Sequence, residues 1–285
     1  QLGRGGQGAE RQQVSSFITA VSYDSRVSTR QRRNTIATPG GDGASAEQVA
    51  THRNRGEEEV YVLISRLPPL PGNRHLQETL LPPQTGNARN KPTIVLDLDE
   101  TLVHSSIEPL VNADFVFPVY YNNKVFQIYT RKRPHVDEFL HKVSQWYEVV
   151  VFTASQEIYA GQILDNLDNN GSFSHKLYRE ACYSVEGNYL KELSTLGRDL
   201  KRTVIVDNSP AAFGYQLDNG IPIISWFDDK NDTELVRLLP FLQELACAPD
   251  VRPLIREHYK LRYKVDQIRA GHQNHLIAPA SSPIL

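Results

Sequence analysis

The chain has 285 residues and an apolar fraction of 40%, enough for one large or two modest domains with a substantial core. Its formal net charge of −2 hides a split, with 12 Lys+Arg against 8 Asp+Glu over residues 1–92 and 19 against 25 beyond, and neither part is basic enough for direct nucleic-acid binding to be the main role. Two cysteines, Cys182 and Cys247, give neither a disulfide framework nor a zinc spacing, and no apolar run approaches the ~20 residues of a membrane span, so a soluble protein of a reducing compartment is expected. The chain begins at Gln1 and contains no methionine, which reads as a fragment, so the lack of a targeting signal at its start carries no weight.

Residues 1–90 mix Gly, Gln, Arg, Ser and Thr with little periodicity and are expected to be largely disordered, because such a composition buries too little apolar surface to offset ordering entropy. The basic cluster Arg30-Gln-Arg32-Arg33 is a solvated run or a docking signal, and Val60-Tyr-Val-Leu-Ile-Ser65 is a short strand or helical turn suited to docking on the main domain. From Thr93 to Leu96 a β-branched run predicts a buried strand that ends on Asp97 and Asp99. Two runs around Asn122-Asn123 predict a β-hairpin over 114–130, since asparagine tolerates the positive φ of a tight turn. Arg133-Pro-His135 opens a helix with proline in its first turn, carrying Val136, Phe139, Leu140 and Val143 at helical spacing.

Glu148–Phe152 predicts a second buried strand, ending at Thr153-Ala-Ser155, and a helix follows through Ile158, Ile163, Leu164 and Leu167. Residues 174–189 suit the strands of a small β insertion that caps the site. Thr203–Val206 predicts a third buried strand and Ile221–Ile224 a fourth. Leu235, Leu238, Leu239, Leu242 and Leu245 line a helical face that is interrupted or restarted at Pro240, and the tail from 270 to 285 is expected to be disordered. Strands alternating with helices predict an α/β fold, a parallel sheet with helices on both faces. In such a sheet ligands bind outside the carboxyl ends of the strands, where Asp97, Thr153 and Asp207-Asn208 would converge.

Two neighbouring carboxylates are costly to bury without a cation, a proton or donors between them, and a bound Mg2+ is the simplest solution. The plain alternative is a solvated turn capped by Thr101. Four motifs decide between the two: Asp97-Leu-Asp99-Glu-Thr101, Thr153-Ala-Ser155, Tyr189-Leu-Lys191 and Asp207-Asn208-Ser-Pro210. In this order they resemble those of the haloacid-dehalogenase-like phosphatases, whose fold is a Rossmannoid α/β sheet. The resemblance implies Asp97 as nucleophile, forming an aspartyl-phosphate, and Asp99 as general acid and then base. It implies Thr153 and Lys191 on the phosphate oxygens, with Arg179 as a candidate second clamp. A Mg2+ would be held by Asp97, by Asp99 through its backbone carbonyl, and by Asn208. Asp207 would support the metal or hold Lys191 by charge. His104 and His135 flank the motifs without metal-ligand spacing and read as packing or supporting residues.

From about Lys91 to Tyr263 the chain further resembles the small-phosphatase branch that acts on the C-terminal domain of RNA polymerase II, through Asp97–Ser106, Arg133–Leu140 and Leu196–Leu200, and its domain is expected to span 91–269. Ala212–Leu217 and Pro240–Leu245 look most like its subtype called small-phosphatase-like protein 2. Members of the branch carry a short three-stranded insertion that leaves the site open to a peptide. Their proline-binding pocket would correspond to Ile107, Val119, Tyr121, Ile128, Gln156 and Tyr159, where Tyr121 and Gln156 depart from the apolar pattern. The resemblance implies a phosphoserine or phosphothreonine protein substrate, the RNA polymerase II C-terminal domain among the candidates, and a nuclear or cytoplasmic location. The competing readings are a small-metabolite phosphatase and a non-catalytic binding module of the same fold.

Overall fold

Short runs of β-branched residues that are apolar at every position can only be satisfied by burial on both faces, and they form the centre of the molecule. In the computed structural model, which describes residues 58–70, 79–168 and 170–277, Thr93–Leu96 (β1), Glu148–Phe152 (β5), His175–Leu177 (β6), Thr203–Asp207 (β9) and Gly220–Pro222 (β10) form one sheet. Its order is β10-β9-β1-β5-β6, with every pairing parallel. Every residue of β1, β5 and β9 is buried. Alternation then divides them: Ile94, Leu96, Val149, Val151, Val204 and Val206 enter one core, and Val95, Val150, Phe152 and Ile205 enter a second on the opposite face.

The first core is closed by helices Val136–Trp146 (α2), Glu157–Leu167 (α3), Glu234–Cys247 (α4) and Arg252–Tyr259 (α5). The second is closed by a helix over residues 58–65 (α1), by short 3-10 turns, and by Leu261–Ile277 (α6). Helices on both faces, as expected for this α/β class, are therefore present. Pro134 stands before α2, not in its first turn, because His135 takes the N-cap position with φ 64°. Nor does Pro240 interrupt α4, which runs unbroken to Cys247. Pro240 is exposed, so water can serve the carbonyl one turn back that it leaves without a donor.

A second sheet follows the aspartates. Val103–Ser106 (β2), Phe115–Tyr121 (β3) and Lys124–Lys132 (β4) pair antiparallel in the order β2-β4-β3. Asn122 and Asn123 turn the hairpin with φ of 48° and 58°, and β4 runs two residues beyond the expected boundary. The expected insertion at 174–189 has a different make-up. Its first segment, β6, pairs in parallel register with Val150–Phe152 and so extends the main sheet. Only Tyr183–Val185 (β7) and Asn188–Leu190 (β8) form a separate, two-stranded hairpin.

Order also extends beyond the expected limits of 91 and 269. In α1, Val60, Tyr61 and Ile64 are buried by the spacing of one helical face, and Leu81 joins them in the second core. Gln84 Nε2 donates to Glu148 Oε2 at 2.9 Å, tying residues 79–91 to the start of β5. At the other end α6 remains helical to Ile277, seven residues past Ala270. The cluster Arg30–Arg33 and the disorder expected before residue 58 lie outside the described residues, as does the tail from 278.

Candidate active site

Parallel register sets the site before any side chain is considered. Leu96 lies opposite both Val151 and Val206, so the residues that follow, Asp97, Phe152-Thr153 and Asp207-Asn208, leave three adjacent strands at one level. Past Asp97 the chain folds back sharply. Glu100 takes a left-handed φ of 59°, and the Leu98 carbonyl accepts from the amides of Leu102 and Val103. Trp226 N donates to the Glu100 carbonyl at 2.8 Å, and Arg133 donates to the Thr101 carbonyl at 3.2 Å. Arg133 is itself gripped by both carboxylate oxygens of Asp232, each at 2.8 Å. This is a bidentate pair that holds the turn from behind.

The two aspartates meet opposite environments. Asp97 accepts Lys191 Nζ on Oδ1 at 2.5 Å and Thr101 Oγ1 on Oδ2 at 2.8 Å. Lys191 arrives just beyond β8, its amide fixed on the Ala212 carbonyl at 2.6 Å, and its ammonium also meets Asp207 Oδ2 at 2.6 Å. Burial works against that charge, but Asp207 and Asp97 outweigh it and hold the lysine above its ordinary value. Among the described residues no cation pairs with Asp99. Its Oδ1 accepts Tyr159 Oη at 2.6 Å and its Oδ2 accepts Ser155 Oγ at 2.7 Å, with Thr153 Oγ1 at 3.4 Å. Burial, then the charges of Glu100 and Asp97, push its pKa up to about 7, against the pull of the hydroxyls. Burial likewise raises Asp207 to about 7, opposed by Lys191 and aided by Asp97, while Ser209 N donates to its Oδ1 at 2.8 Å.

Asp97, Asp99, Thr153, Lys191, Asp207 and Asn208 are thus brought together and buried. Asn208 gives its Nδ2 to Ser225 Oγ at 2.9 Å, which leaves Oδ1 as its donor atom toward a cation. Arg179 lies at the margin: its Nε donates to the Ala154 carbonyl at 2.7 Å, and its guanidinium sits 5.0 Å from the centre of the Tyr189 ring. Of the expected pocket residues, Val119 and Ile128 are fully buried in the first core, with Ile107 and Tyr121 packed against it. Gln156 precedes α3 as its N-cap residue. Tyr159 is on Asp99. His104 sets Nδ1 3.1 Å from Glu100 Oε1 and its ring edge-on to Phe227, while His135 caps α2.

Reading the sequence alone missed the hydroxyls on Asp99 and the Arg133–Asp232 pair. The first had a signal, since Ser155 and Tyr159 stand four apart across the start of a helix. The second had none, because Arg133 and Asp232 are 99 residues apart.

The donor set suits a hard divalent cation. Three carboxylates, Asp97, Asp99 and Asp207, are buried together with one ammonium, which pairs with the first and the third, and burial first, then neighbouring carboxylate charge, raises the pKa of Asp99 and Asp207. Among the described residues no three His, Cys, Asp or Glu side chains form a metal cluster. A carboxylate, a peptide carbonyl and an amide oxygen would instead make an all-oxygen set of the kind Mg2+ takes, with places left for water and phosphate.

Comparison with known proteins came to the same stretch of chain. Residues 92–252 match the family described as NLI interacting factor-like phosphatase. The chain is 54% identical over 187 residues to CTD small phosphatase-like protein 2 of Dictyostelium discoideum, covering 66% of this chain and 33% of that protein. It is 44% identical over 235 residues to CTD small phosphatase-like protein 3 of Caenorhabditis elegans, covering 81% and 80%. With carboxy-terminal domain RNA polymerase II polypeptide A small phosphatase 1 of Homo sapiens it shares 49% identity over 178 residues, covering 62% and 68%. The chain spans about a third of the length of the first of these relatives.

Proposed function

This chain belongs to the NLI interacting factor-like phosphatase family, and on that premise we propose that it is a Mg2+-dependent protein serine/threonine phosphatase working through a phosphoaspartyl intermediate. The observation that carries the reading is the contrast between the two aspartates. Asp97 is ion-paired to Lys191, whereas Asp99, met by hydroxyls, has its pKa pushed up by burial to about 7 and can keep a proton near neutral pH.

In the proposed reaction an Asp97 carboxylate oxygen attacks phosphorus in line, and the bond from phosphorus to the serine or threonine oxygen breaks. Asp99 gives its proton to that leaving oxygen. Its carboxylate then takes a proton from the water that attacks the aspartyl-phosphate, and inorganic phosphate departs from a regenerated Asp97. Lys191 and Thr153 would hold the equatorial oxygens, and Arg179, at the margin, would enter only with substrate. Asp97, the Asp99 carbonyl and Asn208 would hold Mg2+, which when bound neutralises charge on the phosphoryl group. Asp207 would keep Lys191 in place.

A protein substrate is favoured over a metabolite because the described insertion ahead of Lys191 is one sheet-edge strand and a two-stranded hairpin, too little to enclose a small ligand. The human relative's name points to the C-terminal domain of RNA polymerase II as a first phosphopeptide to try, and such a substrate would place the protein in the nucleus. The test is hydrolysis of p-nitrophenyl phosphate and of a phosphopeptide panel with Mg2+, with EDTA, and by Asp97→Asn. Turnover that EDTA and the substitution both abolish is the expected result. Folded wild-type protein inert on every substrate would instead leave a binding module as the better reading.

A further inference from the structure

Tyr159 is fully buried, on α3, and its hydroxyl has one proton to give. That proton faces Asp99 Oδ1 at 2.6 Å. Asp99 as a carboxylate can only accept, so Tyr159 donates to it. Ser155 Oγ adds a second donor on Asp99 Oδ2 at 2.7 Å.

We propose that Tyr159 is the positioning residue of the general acid, an inference that rests on the phosphatase reading above. Asp99 must turn its proton to the leaving oxygen and become a carboxylate as the phosphorus–oxygen bond breaks. Charge therefore grows on Asp99 during the step, and a donor already aimed at Oδ1 binds that growing charge more strongly than it binds the neutral acid. In a dry surrounding such a donor is worth more than it would be in water. Tyr159 does this from a place no substrate atom need touch.

The distinguishing property is dependence on the leaving group. p-Nitrophenolate departs without a proton, phenolate profits from one, and the alkoxide of serine requires it. kcat/KM reports the steps up to loss of the leaving group, so it isolates acid catalysis from hydrolysis of the phosphoenzyme. The experiment measures kcat/KM for p-nitrophenyl phosphate, phenyl phosphate and a phosphoserine peptide with Mg2+, in wild type, Tyr159→Phe and Ser155→Ala, with thermal unfolding of each. In Tyr159→Phe the loss should be roughly tenfold or more greater for phenyl phosphate than for p-nitrophenyl phosphate, a fraction of the 10²–10⁴ that a general acid supplies. The phosphopeptide should lose at least as much as phenyl phosphate. Ser155→Ala, which removes the donor on Oδ2, should steepen the same trend by a smaller factor; if Tyr159→Phe does not fold, an unchanged trend in Ser155→Ala would overturn the inference. Equal losses on all three esters in a folded variant would overturn the inference while leaving the phosphatase reading intact. A wild-type protein that hydrolyses none of them would overturn both.

Discussion

Asp97 and Asp99 are separated by one residue and differ in everything that sets a carboxylate's behaviour. A lysine faces the first and hydroxyls face the second. Glu148, at the opposite end of the sheet, shows a third outcome. It is buried, and burial alone would raise its pKa, but hydrogen bonds from Arg198, Gln84 and Thr93, with the Arg198 charge, lower it to about 2. Arg198 grips both of its oxygens at 2.7 Å. A depressed carboxylate contributes stability that is present above its unfolded value and lost as pH falls through the folded one, so this contribution disappears between about pH 4.5 and pH 2. Denaturant titrations across that range should show wild type losing stability steeply. Arg198→Ala should already be weaker at pH 7 by about 3–5 kcal/mol, the cost of stranding a buried charge, and should lose less on acidification. The residues that perform these roles were legible in unequal measure. Asp97, Asp99, Thr153, Lys191 and Asn208 sit in short local patterns. The partners of Glu148 come from three separate stretches, and only the fold brings them together.

The hairpin over β3 and β4 was readable because two consecutive asparagines announce a turn whose central residues both need positive φ. That reading can be tested directly. Asn123→Gly should stabilise by a few tenths of a kcal/mol, whereas Asn122→Val, on an exposed side chain, should cost about 1–2 kcal/mol through the left-handed backbone alone. Thermal unfolding of the two variants should therefore move in opposite directions. Other elements were illegible for reasons equally specific. A strand was expected within 174–189, but not its partner: β6, His175-Lys-Leu177, has no alternation to say which sheet it joins, and it pairs with the open edge of β5. Pro240 predicts a break by a local rule, which fails where the helix has a wet side and four leucines anchored on the dry one. α1 was ambiguous because six residues hold too little periodicity to choose between a helical turn and a strand.

At the scale of the molecule the sheet has two cores, and they differ in where their covering comes from. The first is covered by helices lying between residues 136 and 259. The second takes Val60, Tyr61, Ile64 and Leu81 from before β1, and Leu261 and Val265 from after α5. All six lie outside the stretch that defines the family, 92–252. A protein cut to 92–260, which keeps α5 over the first core, should therefore expose Val95, Val150, Phe152 and Ile205, bind a hydrophobic dye, and unfold at lower denaturant than one spanning 58–277. Equal midpoints would show that α1 and α6 are dispensable. The two covering helices also touch each other, with Arg269 Nε donating to the Ser65 carbonyl at 3.2 Å across 204 residues of sequence. During synthesis α1 leaves the ribosome well before its partner. At about 5–20 residues per second the ribosome needs roughly 10–40 s to make the chain between them. Throughout that interval the central strands can pair and close one face while the other stays open, a half-finished protein whose greasy side is available to chaperones or to a neighbouring nascent chain.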